Sequence, residues 1–361
     1  MSSERIDRLA AELQDNSVDA FFACTPVSMG YLHGLHEHGG ERFFVMAIKS
    51  SGEVVLIAPA LAETQARRAG LEDVRPWKDG EDPLPLFEQL ADEWNLRSGI
   101  LAVDDDMPAH ILLKMQASLP AALFRAGKNL LSPLMGRKDE AEIEKMRVAG
   151  RIADEAFQDV LPKIKAGLTE LEVDGMLRQA MADRGGTPAF CIVATGSGSA
   201  EPHHLSAQVP LAQGDVVILD FGCDFQGYKS DITRTICIGG NPEAAKVYEI
   251  VFQAHMAARE AARFGATGQD VDRAARKVIQ DAGYGEFFFH RTGHGIGSQL
   301  HEEPNMVEGN TELLVEGNAF STEPGIYLAG NFGVRIENII AMTASGAESM
   351  NEEPSSTLIN L

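Results

Sequence analysis

Five side chains in the second half of this 361-residue chain have the types and spacing of a site for two divalent cations: Asp220, Asp231, His294, Glu323 and Glu337. Four carboxylates and one imidazole make a hard, oxygen-rich donor set. Such a set suits a pair of divalent ions that share bridging carboxylates, not a thiolate-held structural zinc. Asp220 and Asp231 bracket Gln226-Gly227 within LDFGCDFQGYKSDITRT (219–235), where apolar and β-branched residues flank the turn and predict a hairpin. Being eleven apart, they share a face if the loop has an even length. Glu323 and Glu337, fourteen apart, bracket a second turn signal at Gly330-Asn331-Phe332-Gly333, and there an odd loop length puts both on one face. Acids clustered in this way repel one another and need protons or cations to coexist. A single strand-borne acid would simply face water; five such residues with these neighbours point to a common site.

The elements that must position them follow from pattern and repeat. Shifting the chain by 98 residues matches Gly167 with Gly265, Thr169 with Thr267, Asp174 with Asp272, Arg178 with Arg276, Gly185 with Gly283 and His203 with His301. Two similar halves, each a helix pair followed by a hairpin, account for this. If the halves pack about a pseudo-twofold axis, the hairpin faces meet at its centre, flanked by His203 and His301. Ahead of them, helical spacing over 4–15 and strand-like runs at 18–23, 43–49, 53–58 and 99–103 alternate with helical stretches near 60–69, 84–94 and 108–118. This predicts an α/β amino-terminal domain with a mixed sheet. KNLLSPLMGRKD (128–139) reads as a linker, which places one domain at 1–130 and a second at 138–361. YLHGLHEHGGERFF (31–44) reads as a long exposed loop. Cys223 lies between two of the acids but, by strand alternation, on the face opposite Asp220.

From about residue 138 to 345 the chain resembles the pita-bread metallopeptidases, in particular the Xaa-Pro peptidases (prolidases and aminopeptidases P). The strings that carry the resemblance are EPHH (201–204), the hairpin with Asp220 and Asp231, HRTGHGIGSQLHEEP (290–304), STEPGIY (321–327) and VRIEN (334–338). It implies an α+β catalytic domain with an internal pseudo-twofold repeat, following a creatinase-type amino-terminal domain. It also implies two metal ions bridged by Asp231 and Glu337, with Asp220 completing one ion and His294 and Glu323 the other. Manganese is the expected metal, with cobalt or zinc as alternatives. Water held between the ions would be the nucleophile, with Glu323 as proton shuttle. His203, His290 and His301 match family positions that donate to substrate carbonyls, and Arg335 matches one that orients carboxylates. His204 is placed near the substrate. His290 and His294, four apart, are not a helical zinc pair, because Gly293, Gly295 and Gly297 oppose a helix and the glutamate of HExxH is absent. Phe190, Phe288 and Phe289 are candidates to wall a pocket for the proline ring.

The expected activity is hydrolysis of the Xaa-Pro bond of dipeptides, with trimming of longer peptides as the alternative. Methionine aminopeptidase and a non-catalytic binding protein of the same fold stand below both. Some prolidases hold the dipeptide carboxylate with an arginine shortly after the second active-site histidine; here His301 is followed by Glu302, Glu303, Pro304 and Asn305. The 31–44 loop offers Arg42, His36 and His38 as substitutes, and the resemblance implies a homodimer in which that loop serves the site. The formal net charge of −22 argues against nucleic acid or anionic membrane as partner. MSSERIDRLA lacks an apolar signal core and four scattered cysteines form no CxxC pair, which is what a cytoplasmic protein would show.

Overall fold

In the first of two units, which ends at Met135, strand residues of alternate parity feed two separate cores. The structure is a computed structural model and describes residues 2–361. Six strands lie in the order Asp73–Trp77, Val54–Pro59, Val45–Lys49, Ala20–Ala23, Ile100–Val103, Leu123–Ala126. Ala20–Ala23 pairs antiparallel with Val45–Lys49 and parallel with Ile100–Val103, so the sheet is mixed, as expected. Phe21, Met46, Ile48 and Leu56 pack with Ile6, Leu9 and Leu13 of the Ser2–Asp15 helix. Phe22, Val45, Val55 and Ile57 pack with Phe87, Leu90, Ile111 and Met115 on the other face. Both faces are covered, so the strands read as apolar runs.

Two expectations for this unit change. The segment read as a linker contains the helix Lys128–Met135, whose Leu130, Leu131 and Leu134 are buried in the first core. The exposed loop is shorter than 31–44, because Tyr31 to His33 complete the helix Pro26–His33 and Phe43 and Phe44 are buried. That helix shows no amphipathic stripe, since Ser28 through Leu32 are all buried. Its start is nevertheless written locally: the Thr25 side chain accepts the Ser28 N–H, and proline opens the first turn.

The 98-residue repeat is a repeat of structure in the second unit, from Gly136 to Leu361. Helices Glu170–Asp183 and Gly268–Asp281 both open on a threonine capping box, Thr169 with Glu172 and Thr267 with Asp270. One turn later Arg178 meets Asp174 at 2.6 Å and Arg276 meets Asp272 at 2.8 Å. Each half has its own core. Ile152, Val173 and Leu177 pack on Val217, Leu219 and Phe221, while Val247, Val251 and Val271 pack on Phe320, Val334 and Ile340. The helices therefore cover the outer face of each strand pair and leave the inner faces to polar residues.

The first ribbon pairs Val216–Phe225 with Ile232–Cys237, with Asp220 opposite Thr233. Its two-residue turn is Gln226-Gly227, both at positive φ (52° and 86°), the left-handed geometry that tight hairpins favour. Asp231, two residues from Thr233, thus shares a face with Asp220. Cys223 points to the other face, where its Sγ lies 3.6 Å from the Ala149 carbonyl. The second ribbon keeps one register from Ala319 to Ala341, with Thr322 opposite Asn338 and Gly325 opposite Arg335, so Glu323 stands opposite Glu337. Its turn is Ala329-Gly330-Asn331; Phe332 and Gly333, expected in the turn, begin the strand Phe332–Arg335. Pro324 has no N–H, and the ladder breaks beside it. The Glu323 N–H turns to the Thr292 carbonyl at 2.8 Å, and the Glu337 N–H to the Thr233 carbonyl at 3.1 Å. The second of these bonds joins the two halves at the site itself.

Candidate metal centre

The structure brings the five sequence-selected side chains to one place. Asp231, His294 and Glu337 each offer a ligand atom within 4.8 Å of the others, and all three are buried. His294 Nε2 lies 3.7 Å from Asp231 Oδ2 and 3.4 Å from Glu323 Oε1. Its Nδ1 is 3.0 Å from the Gly295 carbonyl, which fixes the tautomer: Nδ1–H donates, and the Nε2 lone pair faces the acids. Gly293 makes this approach available, since a Cβ there would sit 1.8 Å from the Ser321 carbonyl oxygen. His294 is then held by its own N–H on Ser321 Oγ (3.0 Å), which in turn donates to Glu323 Oε1 (3.0 Å).

The donor set fits divalent cations. Asp220 Oδ1, Asp231 Oδ1 and Glu337 Oε1 are buried with no hydrogen-bond partner among the described residues. Buried, unpartnered acceptors are rare and costly unless something satisfies them. Burial, then the charges of Glu337, Asp220 and Glu323, hold the Asp231 carboxyl well above its usual range. Burial, then Glu323 and Asp220, does the same to Glu337, and burial also raises Glu323. Burial pushes His294 down to about 4, keeping the imidazole in its neutral, ligating form.

Arg335 is the hub behind the acids. Its Nη2 donates to Asp220 Oδ2 at 2.6 Å, its Nε to Thr233 Oγ1 at 3.2 Å, and its Nη1 to the Tyr327 phenol at 2.9 Å. Thr233 Oγ1 passes the contact on to Glu337 Oε2 at 2.7 Å. One guanidinium thus orients an acid of each ribbon. In front of the acids opens a cavity of about 730 Å³, whose walls include His203, His301, Phe190, Phe289, Arg291 and Leu300. That volume is typical of a small-molecule or peptide site.

These features have known counterparts. Residues 144–344 match the model of metallopeptidase family M24, and residues 5–134 match the creatinase/prolidase N-terminal domain. The chain belongs to metallopeptidase family M24. This M24 enzyme is a hydrolase of a family that uses divalent metal ions, and it combines a creatinase-type amino-terminal domain with a pita-bread catalytic domain. It is 36% identical over 365 residues to a probable dipeptidase of Mycobacterium tuberculosis, covering 99% of this chain and 96% of that one. It is 33% identical to the Xaa-Pro dipeptidase of Lactobacillus delbrueckii subsp. lactis, over 94% of this chain and 95% of that one. Among solved structures it superposes on a prolidase from Thermococcus sibiricus with a TM-score of 0.95, at 33% identity and 100% and 99% coverage. An X-Pro aminopeptidase from Thermotoga maritima gives 0.86 at 30% identity, with 99% of each chain covered.

Other sequence-selected residues of the M24 chain are placed differently from expectation. His204 is turned from the cavity: its Nε2 lies 2.9 Å from Glu170 Oε2, a buried carboxylate that also accepts the Thr195 and Ala207 N–H groups. It supports a loop and does not line the cavity. His290 does line it, but both ring nitrogens are engaged, Nδ1 with the Arg291 carbonyl (2.7 Å) and Nε2 with the Tyr327 hydroxyl (2.9 Å). In this arrangement both ring nitrogens of His290 are spent on protein partners at the cavity wall. Phe288 is core, while Phe190 and Phe289 are walls. In the first unit Arg42 forks onto Asp79 through Nε (3.0 Å) and Nη2 (3.1 Å). The His36 ring lies against Gly30, and His38 Nδ1 accepts the Gly40 N–H at 2.8 Å. Tyr327, Thr233 and Arg291 escaped the sequence reading; Tyr327 ends the STEPGIY string, and with Glu323 it obeys the period of two that could have singled it out.

Proposed function

We propose that this enzyme cleaves the Xaa-Pro bond of dipeptides, using two divalent ions held by Asp220, Asp231, His294, Glu323 and Glu337. The observation that carries the metal assignment is the set of three buried, unpartnered carboxylate oxygens on Asp220, Asp231 and Glu337, the last two clustered with the buried imidazole of His294. The substrate assignment is supported by full-length relatives named dipeptidase and Xaa-Pro dipeptidase. When bound, the ions would activate water near neutral pH and polarise the scissile carbonyl. Asp231 and Glu337, at the meeting of the two ribbons, would hold them together with Asp220, His294 and Glu323. Glu323, next to Ser321 and His294, takes and returns the proton. His203 and His301, from opposite halves of the repeat, reach the cavity as donors to substrate carbonyl oxygen; His301 is held neutral, pushed down to about 4 by burial. Arg335 keeps the acids aligned. Phe190 and Phe289 supply apolar wall for a proline ring. Manganese fits the oxygen-rich donors best, with cobalt and zinc as alternatives. We also infer a homodimer, with the 34–42 loop, bearing His36, His38 and Arg42, serving the site, and a cytoplasmic setting. No helix among the described residues is long and apolar enough to cross a membrane.

A second reading, trimming of Xaa-Pro from longer peptides, is favoured by the likeness to the Thermotoga maritima X-Pro aminopeptidase. One panel separates the readings: Ala-Pro, Ala-Pro-Ala and Met-Ala, each with manganese, cobalt or zinc. Ala-Pro with manganese is expected to have the highest kcat/KM. Preference for the tripeptide would favour the second reading, and cleavage of Met-Ala alone would remove both.

A further inference from the structure

A dipeptide differs from every longer substrate by a free carboxylate one residue beyond the scissile bond. That charge must approach a cavity already lined by Asp220, Asp231, Glu323 and Glu337. The two divalent ions of the proposed site would offset those acids but are committed to them and to the scissile carbonyl, so burying a further carboxylate at the cavity wall calls for a cation or strong donors of its own. The segment after His301, Glu302-Glu303-Pro304-Asn305, supplies no cation. The cavity walls contain two guanidinium groups, Arg291 and Arg335. Arg335 is buried and fully engaged by Asp220, Tyr327 and Thr233.

Arg291 stands otherwise. It is only half-buried, and its Nη1 donates to Asn305 Oδ1 at 2.5 Å. Among the described residues it has no carboxylate partner. Asn305 is itself fixed, because its backbone N–H (3.1 Å) and its Nδ2 (2.6 Å) both donate to Glu303 Oε2. The amide oxygen is thereby aimed at Arg291. A neutral amide positions the guanidinium without neutralising it, and the Nε–Nη2 edge is left for a carboxylate to grip with two parallel bonds.

Resting on the dipeptidase reading, we propose that Arg291 binds the free carboxylate of the dipeptide and that Asn305 is its positioning residue. The cation that some prolidases place after the second histidine is here supplied by the segment before His294, and the stretch after His301 carries the residue that aims it. Selectivity for dipeptides is then set by a single charge pair at the cavity wall.

The test compares Ala-Pro with Ala-Pro-amide, which lacks the charge. Arg291→Ala should raise KM for Ala-Pro by about 10–100-fold, the worth of a charged hydrogen bond, with kcat little changed. KM for the amide should stay within about twofold of the unmodified enzyme, since no charged bond is lost. Arg291→Lys should recover part of the loss, and Asn305→Ala should shift KM for Ala-Pro in the same direction but less. If Arg291→Ala does not fold, Arg291→Gln keeps a donor for Asn305 and is read in the same way. A measurement without substitution stands beside these: free proline should inhibit the unmodified enzyme at least tenfold more strongly than prolinamide, again about the worth of one charged hydrogen bond. Equal inhibition by the two, or equal KM shifts for acid and amide, would overturn the assignment while leaving the dipeptidase reading intact. Failure of the unmodified enzyme to cleave any Xaa-Pro substrate would remove the underlying reading instead.

Discussion

The phenol of Tyr327 lies between a guanidinium and an imidazole, accepting from Arg335 Nη1 and facing His290 Nε2, each at 2.9 Å. The proton's position follows from the partners. His290 Nδ1 faces a carbonyl and must donate, so Nε2 accepts and the Tyr327 hydroxyl donates to it. Burial pushes the phenol up to about 12, so the proton stays on oxygen. Gly325 leaves room for this arrangement, since a Cβ there would be 2.6 Å from the Tyr327 hydroxyl. Tyr327→Phe removes one link from Arg335, and through Arg335 it loosens Asp220. We expect kcat/KM to fall about 10–100-fold, the usual effect of losing an outer partner of a metal ligand, with the fold kept and stability lowered by about 1–3 kcal/mol, because Arg335 Nη1 and His290 Nε2 lose a buried partner. An unaltered pH–rate profile and rate would show that Arg335 needs no such partner.

At the scale of elements, glycine marks where backbones touch and where they do not. Gly293 lies on the strand Gly293–Gly295, and a Cβ there would strike the Ser321 carbonyl oxygen, a backbone atom that cannot swing aside. Gly293→Ala should cost about 1–3 kcal/mol or more, as overpacking in a core does, and should displace His294. Gly175, inside the Glu170–Asp183 helix, faces open space. Gly175→Ala should stabilise by about 0.5–1 kcal/mol, because alanine loses less backbone entropy on folding. Denaturant melts of the two variants check both signs; a neutral Gly293→Ala would mean the GHG strand can move away from Ser321.

At the scale of the whole molecule, the acid cluster makes the fold depend on its ions. Cations that bind only the folded chain stabilise it by mass action, so a chelator should lower the melting temperature as well as abolish activity, and added manganese should restore both. The pH dependence separates the two states. Without ions, the folded pKa values of Asp231 and Glu337 lie above their unfolded ones, so the folded chain holds more protons and loses stability as pH rises through that window. Acidification through the range where these acids titrate in the folded chain should therefore raise the melting temperature of the chelated protein and not that of the loaded one. Below about 6.5 an opposite effect sets in. His255 is wholly buried, with Nδ1 on the Thr322 carbonyl at 3.0 Å, and burial lowers it to about 3. Folded, it stays neutral while the unfolded chain takes up its proton, so stability is lost as pH falls from 6.5 toward 3; His294 and His301, each lowered to about 4, act in the same sense. Calorimetry across pH with and without chelator measures both limbs, and identical profiles would mean the acids are not coupled to a cation.

What the sequence determined by itself was local or periodic. Strand alternation and loop parity put Asp220 with Asp231 and Glu323 with Glu337, because a side chain's face is fixed within a few residues of its turn. The 98-residue repeat followed from helix caps and αL glycines, which are equally local: Thr169 and Thr267, Gly167 (φ 92°) and Gly265 (φ 83°). Pro26–His33 carries no stripe, and periodicity needs a solvent face to show itself; Lys128–Met135 does carry one, in Leu130, Leu131 and Leu134, but Pro133 and Gly136 read as breakers and hide it. The tertiary structure alone decided who satisfies whom. Glu170 takes His204 away from the cavity, Asp79 takes the fork of Arg42, Tyr327 closes the ring of contacts around Arg335, and Asn305 holds Arg291. Each depends on which distant backbone comes within about 3 Å of a given donor. A hydrogen bond across 34 residues (Glu170 to His204) or 115 (Asp220 to Arg335) leaves no period in the chain, only a pair of polar residues that folding happens to bring together.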